Sequence, residues 1–166
     1  MGDDLGSRIV AARLVREVMH LCFLMERQYA PYSKWFGSAF ARLVCAPRLT
    51  PALKGALAAE SWQERERCLN ASLEAAAVVH NSLGLTAPLD PRVAPFYNRP
   101  FRVIHADRFW GALRDAVADE GLRRLMGDQH AIIGSTSQWA DSTDVHSRRW
   151  DDPLRAVYRF ARARSV

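Results

Sequence analysis

The hydrophobic pattern is clearest near the N-terminus, where residues 7–35 read SRIVAARLVREVMHLCFLMERQYAPYSKW. Polar residues recur there at spacings of three, four and seven, which is typical of one face of an α-helix. They are Arg13, Arg16, Glu17, His20 and Arg27. Residues 21–25 are apolar in succession, so we expect other elements to cover almost the whole circumference of the helix there. The helix should turn a corner at Pro31, because proline disfavours helical backbone in the residue before it.

The rest of the pattern predicts further helices, separated by proline, glycine and capping residues. They are expected over residues 32–44, 51–59, 62–83, 108–118, 122–126 and 153–164. The second helix should bury Trp35 and Phe36. Ser61, with Glu64 three residues later, has the pattern of a capping box, and Gly84 is suited to the left-handed residue that follows a helix. Asp107 is expected to cap the fifth helix in this series.

Residues 85–100 have a different character, because they contain four prolines. Proline lacks a backbone N–H, so we expect an extended belt on the surface that is held by Phe96, Tyr97 and Phe101. Residues 101–104 are compatible with one short strand, for which the sequence shows no partner. The predicted fold is therefore all-α, with five or six helices in a bundle-like arrangement around the long N-terminal helix. The length of 166 residues indicates a single domain.

The composition is that of a soluble globular protein, with 49% hydrophobic and 25% charged residues. The acidic start MGDDLGS does not have the pattern of a secretory signal, and the longest apolar run is too short to span a membrane. We therefore expect a cytoplasmic protein. Cys22, Cys45 and Cys68 are widely spaced among apolar or helical neighbours, so we expect buried thiols rather than metal ligands.

The net charge of +5 comes almost entirely from arginine, since the chain has only two lysines. This bias has two explanations that stay open. One is the coding composition of the source genome. The other is a surface that contacts phosphate groups, because arginine offers a planar pair of donors for bidentate contacts.

The best candidate site is the corner around Pro31. Backbone N–H groups at the start of the second helix favour an anion, and cationic, hydroxyl and aromatic side chains surround them. The predicted residues for binding a nucleotide or a nucleotide acceptor are Arg13, Arg16, Arg27, Tyr29, Tyr32, Ser33 and Lys34. The alternative is that the aromatic residues pack in the core and the charges are merely solvated.

A second stretch, residues 131–147, is rich in Ser, Thr and Asp and is expected to be a loop. Its carboxylates are three residues apart and follow no strand pattern, so we do not expect a catalytic metal site. A secondary contact loop is predicted instead, formed by Ser135, Asp141, Ser142, Thr143 and Asp144. The five histidines lie on separate predicted elements and no nucleophile signature occurs, so no catalytic residue is assigned.

The stretch GDDLGSRIVAARLVREVMHLCFLMERQYAPYSKW resembles a bacterial domain of unknown function that follows a nucleotidyltransferase-fold domain on the same polypeptide. The later stretches VVHNSLGLTAPLDPRVAPFYNRPFRV and IGSTSQWADSTDV also resemble that family. The resemblance implies a helical C-terminal unit, similar to the helical half of kanamycin nucleotidyltransferase. Such halves form one wall of the substrate cleft and often contribute to dimerisation.

The resemblance also implies a catalytic domain upstream, with a Gly-Ser turn and paired carboxylates that hold Mg²⁺ and a nucleotide. We find no match to those motifs here, so this chain is either a truncated form or a short member of the family. We therefore expect a non-catalytic accessory domain without a cofactor of its own, whose partners are the upstream domain and a second copy of itself.

Two other functions stay open. The first is a protein-interaction or self-association module that uses exposed aromatic residues. Its candidates are Trp62, Trp110, Trp139 and Trp150. The second is nonspecific nucleic-acid binding through arginines, which would weaken steeply with salt.

Overall fold

The computed structural model describes residues 2–126, which form six helices and one small antiparallel sheet. In chain order the elements are α1 Asp4–Met25, α2 Ser33–Phe40, α3 Ala46–Ala58, α4 Trp62–Ser82, β1 Ala94–Pro95, β2 Arg102–Val103, α5 Ala106–Ala116 and α6 Glu120–Met126. The predicted helical fold is thereby confirmed for this part of the chain. The loop expected at residues 131–147 and the helix expected at residues 153–164 lie outside the described residues.

The core lies where α1, α3 and α4 pack against one another. α1 buries one face at spacings of three and four residues, and α3 and α4 supply the facing side chains. The most deeply buried members of this core are Cys22, Leu49, Ala56 and Ser72. The hydroxyl of Ser72 donates to the carbonyl of Leu69 at 2.7 Å, so this polar group in the core has a hydrogen-bond partner.

α1 ends at Met25, earlier than the corner that the sequence predicts, because the backbone reverses at Arg27. Arg27 has a φ of 54°, in the left-handed region. Its N–H donates to the carbonyl of Leu24, and the N–H of Gln28 donates to the carbonyl of Phe23. These two bonds form the Schellman motif, in which the left-handed position is usually glycine. Arginine at this position concealed the end of the helix from sequence analysis.

The expectation that residues 21–25 would be covered on almost all sides is wrong for two of them. Cys22, Phe23 and Met25 are buried in the core. By contrast, Leu24 is 73% exposed and Leu21 is 43% exposed among the described residues. The helix therefore presents an apolar strip at its C-terminal end that the described elements leave open.

The boundary between the second and third helices also differs from the prediction. α2 ends at Phe40, and α3 begins at Ala46 rather than at Pro51. Pro47 lies in the first turn of α3, where the N–H that proline lacks has no intrahelical partner to lose. Pro51 lies inside α3, and the preceding Thr50 hydroxyl donates to the carbonyl of Ala46 at 2.7 Å.

α4 begins where its sequence predicts and ends one residue earlier than predicted, at Ser82. The Ser61 hydroxyl accepts a hydrogen bond from the N–H of Glu64 at 3.2 Å, and Gly84 has a φ of +62°. At α5 the prediction is wrong about the cap, since the residue before the helix is His105 with a φ of 50° and Asp107 lies in the first turn. The strand predicted without a partner does have one, because β2 pairs with β1 through Ala94 and Val103.

Polar side chains of α4 hold the Pro-rich segment, which in the structure continues to the end of β2 and covers residues 85–103. Their partners are backbone groups: Glu66 accepts from the N–H of Arg102, Glu74 accepts from the N–H of Val93, and Asn81 exchanges two bonds with Leu89. These α4 residues are separated by eight and seven positions, so they share one face of the helix. Tyr97 does not fix the segment, since it is exposed. Phe96 stacks on Phe101 within the same segment. That the segment forms a belt stays a prediction.

A close approach of α3 to α4 gives a testable prediction about two helical glycines. A β-carbon at Gly55 would lie 2.8 Å from the Sγ of Cys68, whereas a β-carbon at Gly37 would contact nothing. We expect Gly55→Ala to lower the free energy of unfolding by about 1 kcal/mol through overpacking. Gly37→Ala should raise it by about 0.5 kcal/mol, because alanine favours the helix. Urea denaturation of both variants checks this, and destabilisation of Gly37→Ala would contradict it.

Candidate functional site

The predicted site residues around Pro31 surround the connection between α1 and α2. We call the following set the corner surface: Arg27, Tyr29, Tyr32, Ser33, Lys34 and Trp35. All six are exposed, and Tyr29 reaches 91%. The alternative in which these aromatic residues pack in the core is therefore wrong, as is the expectation that Trp35 would be buried.

The start of α2 lies at the centre of the corner surface. Tyr32 is the residue before the helix, its backbone is extended, and no side chain caps the helix there. The Nζ atom of Lys34 lies 5.2 Å from the centroid of the Trp35 ring, within range of a cation–π contact. A positive helix end, a cation and exposed aromatic rings together provide groups suited to an anion attached to a flat ring.

Arg13 and Arg16 lie on α1 rather than in the connection between α1 and α2, and their part in the site stays a prediction. Arg13 precedes the end of α1 by about 18 Å along the helix axis, given a rise of 1.5 Å per residue. Arg16 is exposed and its Nη1 lies 3.2 Å from the Oε1 of Glu17. It is four residues before His20, whose ring packs on Phe36 of α2 at 4.5 Å. Arg16 therefore lies about one turn from the contact between α1 and α2, and Arg13 lies a further turn away.

His20 belongs to the packing of α1 against α2 rather than to a reactive site. Burial and the nearby charge of Arg16 lower the pKa of His20, and the charge of Glu17 opposes them. The neutral ring is favoured at neutral pH, where it contacts Phe36.

Glu26 belongs to the sequence of the corner, but its carboxylate has structural partners in the turn that precedes α3. It accepts hydrogen bonds from the N–H groups of Val44 and Cys45, at 2.9 and 2.8 Å. Burial acts to raise the pKa of Glu26, yet the hydrogen bonds from Cys45 and Val44 lower it overall. The ionised carboxylate thus holds the turn before α3 against the end of α1.

The cysteines are free thiols in the described structure. Cys22 and Cys45 are buried as expected, whereas Cys68 is only partly buried. Burial raises the pKa of Cys22, and burial together with the bond to Glu26 raises the pKa of Cys45 strongly. Both thiols are therefore protonated at neutral pH, which makes them poor nucleophiles. Among the described residues, no group of three or more His, Cys, Asp or Glu side chains is arranged to hold a metal.

Several predicted residues have other locations. Trp62 is exposed and Trp110 is half-buried, while Trp139 and Trp150 lie outside the described residues. The predicted contact loop also lies outside them, with Ser135, Asp141, Ser142, Thr143 and Asp144. Within residues 2–126, no helix is long and apolar enough to cross a membrane.

Many exposed arginines are paired with carboxylates close to them in sequence. The pairs are Arg8–Asp4, Arg16–Glu17, Arg67–Glu64, Arg92–Asp90 and Arg114–Asp115, with N–O distances of 2.7 to 3.4 Å. Each pair reduces the local positive charge, so these arginines do not form a continuous basic surface. They give the nucleic-acid alternative no support.

Sequence analysis missed an apolar cavity of about 430 Å³ between the end of α1, the second half of α4 and α5. Its lining includes Leu21, Leu24, Leu73, His80, Phe109 and Leu113, and Arg27 also contributes. The only signal for it in the sequence is the apolar pair of Phe109 and Leu113, four residues apart on one face of α5. The volume is within the range of pockets that bind small molecules.

No curated protein matches the chain significantly, and no solved structure does. One family matches, over residues 1–36. That range contains α1, the connection that follows and the first half of α2. It includes every residue of the corner surface, and also Arg13 and Arg16 of α1. The N-terminal part of the chain is thus similar to the family described as Domain of unknown function (DUF4037).

Proposed function

We propose that this chain is a non-catalytic, substrate-side helical domain that works with a nucleotidyltransferase-fold catalytic domain. In this proposal the catalytic domain holds Mg²⁺ and the reacting nucleotide. The helical domain contributes the corner surface to one wall of the cleft. The association with a nucleotidyltransferase rests on the sequence resemblance described above. The match to a domain of unknown function covers residues 1–36, which include the corner surface.

The observation that carries the proposal is the exposure of the whole corner surface beside the uncapped start of α2. Exposed tyrosine and tryptophan side chains are costly for a surface that binds nothing, since each leaves a large apolar area in water. Lys34 lies over the Trp35 ring, and Arg27 is a second exposed cation of the same surface. Phosphate binds to cations and helix N-termini, and bases stack on aromatic rings.

The proposal predicts that the full chain binds nucleoside triphosphates through these two cations. We expect Arg27→Ala combined with Lys34→Ala to weaken binding of Mg²⁺-bound ATP, GTP, CTP or UTP by about tenfold, since charge-assisted hydrogen bonds to phosphate are lost. Isothermal titration calorimetry with each triphosphate measures the dissociation constants. Circular dichroism confirms that the variant retains the fold.

The matched control removes the same charges elsewhere. Arg67 on α4 and Lys54 on α3 are both exposed, and neither belongs to the corner surface. Arg67→Ala combined with Lys54→Ala should leave the dissociation constants within about twofold, as expected for distant surface charges. An equal loss in both double variants would mean that net charge alone drives binding. Unchanged affinity in the Arg27 and Lys34 variant would refute the assignment of the corner surface.

A further inference from the structure

The apolar cavity is open in the described structure and has a charged residue at its edge. Its walls come from three helices that are far apart in the sequence, with Leu24 and Met25 from α1, Ala77 from α4 and Leu113 from α5. Leu24 is 73% exposed even though it is a large apolar residue in a helix. Water in contact with such a wall is unfavourable, so an apolar ligand gains free energy by replacing it.

His80 lines the cavity but does not make its wall polar. Its Nε2 is buried and has no hydrogen-bond partner in the described part of the chain. Its Nδ1 lies 3.5 Å from the Oδ1 of Asn81, and the edge of its ring meets Phe109 at 5.2 Å. Nε2 is thus closed off from solvent, and the wall around it suits an apolar ligand body rather than a polar one.

Arg27 supplies the charge at the cavity. Its left-handed backbone belongs to the Schellman motif that ends α1. The two backbone hydrogen bonds of that motif, from Arg27 to Leu24 and from Gln28 to Phe23, fix its position. The carboxylate of the adjacent Glu26 is occupied by the N–H groups of Val44 and Cys45. Within the described residues Arg27 has no ion pair, and arginine commonly lays its aliphatic stem on an apolar wall while its charged end stays in water.

We propose that the cavity binds an amphipathic carboxylate, with its hydrocarbon part between α1, α4 and α5 and its carboxylate at Arg27. The positive charge of Arg27 complements the carboxylate, and the apolar walls contact the hydrocarbon part of the ligand. This site is different from the corner surface in all residues except Arg27, and the proposal does not rest on the proposed nucleotide function. The occupant is a free small molecule of fatty-acid type.

The test compares two probes on the full chain, octanoate and 1-octanol, which share a hydrocarbon body and differ in charge. We expect octanoate to bind about tenfold more tightly than 1-octanol, as one charge-assisted contact with arginine allows. Isothermal titration calorimetry gives the dissociation constants. Methyl resonances of Leu21 and Leu24 should move on addition of either probe, which places both probes in the cavity.

Three variants make the result specific. Arg27→Ala should remove the preference for octanoate and leave the binding of 1-octanol unchanged. Lys34→Ala removes a corner-surface cation that does not line the cavity, so the preference should persist. Leu24→Ser changes an exposed position, so we expect the chain to fold. It should weaken the binding of both probes by about threefold. This last variant separates binding in the cavity from adsorption elsewhere.

The proposal is overturned if neither probe binds, or if octanoate keeps its preference in Arg27→Ala. It is also overturned if Lys34→Ala removes the preference to the same extent. Octanoate binding without nucleotide binding supports this site and counts against the proposed function, and nucleotide binding without octanoate binding does the reverse.

Discussion

Replacing Arg65 with alanine is expected to lower the free energy of unfolding by about 3 kcal/mol, the largest effect that we predict. Arg65 is 2% exposed, and its guanidinium joins three parts of the fold. It donates to Asp4 Oδ1 at 2.8 Å, to the Ser7 hydroxyl at 3.1 Å and to the Ala59 carbonyl at 3.3 Å. Alanine loses these bonds and leaves a space where the side chain packed.

Urea denaturation of the full chain measures this loss, and a neighbouring arginine provides the control. Arg67 is two residues away on α4, but it is 73% exposed and pairs with Glu64 at 3.4 Å. Arg67→Ala should cost no more than about 0.5 kcal/mol, as exposed pairs usually do. Asp4→Ala should cost less than Arg65→Ala, because the Asp4 side chain is 55% exposed and water can reach the site. Equal losses for Arg65→Ala and Arg67→Ala would show that the buried guanidinium does not join the helices.

Replacing Glu26 with alanine is expected to cost about 2 kcal/mol, the second-largest effect. The carboxylate accepts two N–H groups at the start of α3, and alanine leaves both without that acceptor. Glu26→Gln keeps one oxygen acceptor and has nearly the same size. It should therefore lose about half as much. The comparison separates the effect of the hydrogen bonds from the effect of packing. If the glutamine variant were as unstable as the alanine variant, the expected contribution of the retained oxygen would be contradicted.

The Glu26 link should also respond to acid. Hydrogen bonds from Cys45 and Val44 outweigh the opposing effect of burial and hold the pKa of Glu26 below its usual value in the folded protein. The stability that this carboxylate contributes is therefore fully present above the usual glutamate pKa, and it is lost as the pH falls through the lowered pKa. Urea denaturation from pH 7 to pH 3 should show less acid destabilisation in Glu26→Gln than in the wild-type chain.

Much of the helical fold could be predicted from the sequence, because local patterns determine it. The cap at Ser61 and the left-handed Gly84 were predicted, since both follow from the chemistry of a single residue and its near neighbours. The end of α1 was not, because Arg27 occupies a position that glycine usually takes. The start of α3 was also missed. The turn before it is held by Glu26, which lies far earlier in the chain.

The candidate site shows the same division. The residues between Arg27 and Trp35 are neighbours in sequence, so their grouping on one surface was predictable. The contribution of Arg13 and Arg16 stays a prediction, because both lie on α1, before the connection that carries the other residues. The cavity depends on how α5 packs near α1 and α4, and no local pattern specifies that arrangement. The cavity could not be predicted because it depends on packing between helices that are distant in the sequence.

The path of the Pro-rich segment depends on its hydrogen bonds to α4. The segment has only the short strands β1 and β2 as regular structure, yet its backbone is bonded to Glu66, Glu74 and Asn81. Side chains of α4, which precedes this loop in the chain, thus determine the path of the loop. The helix and the loop therefore belong together, and the loop grafted alone into another protein would lose the hydrogen bonds that fix its path.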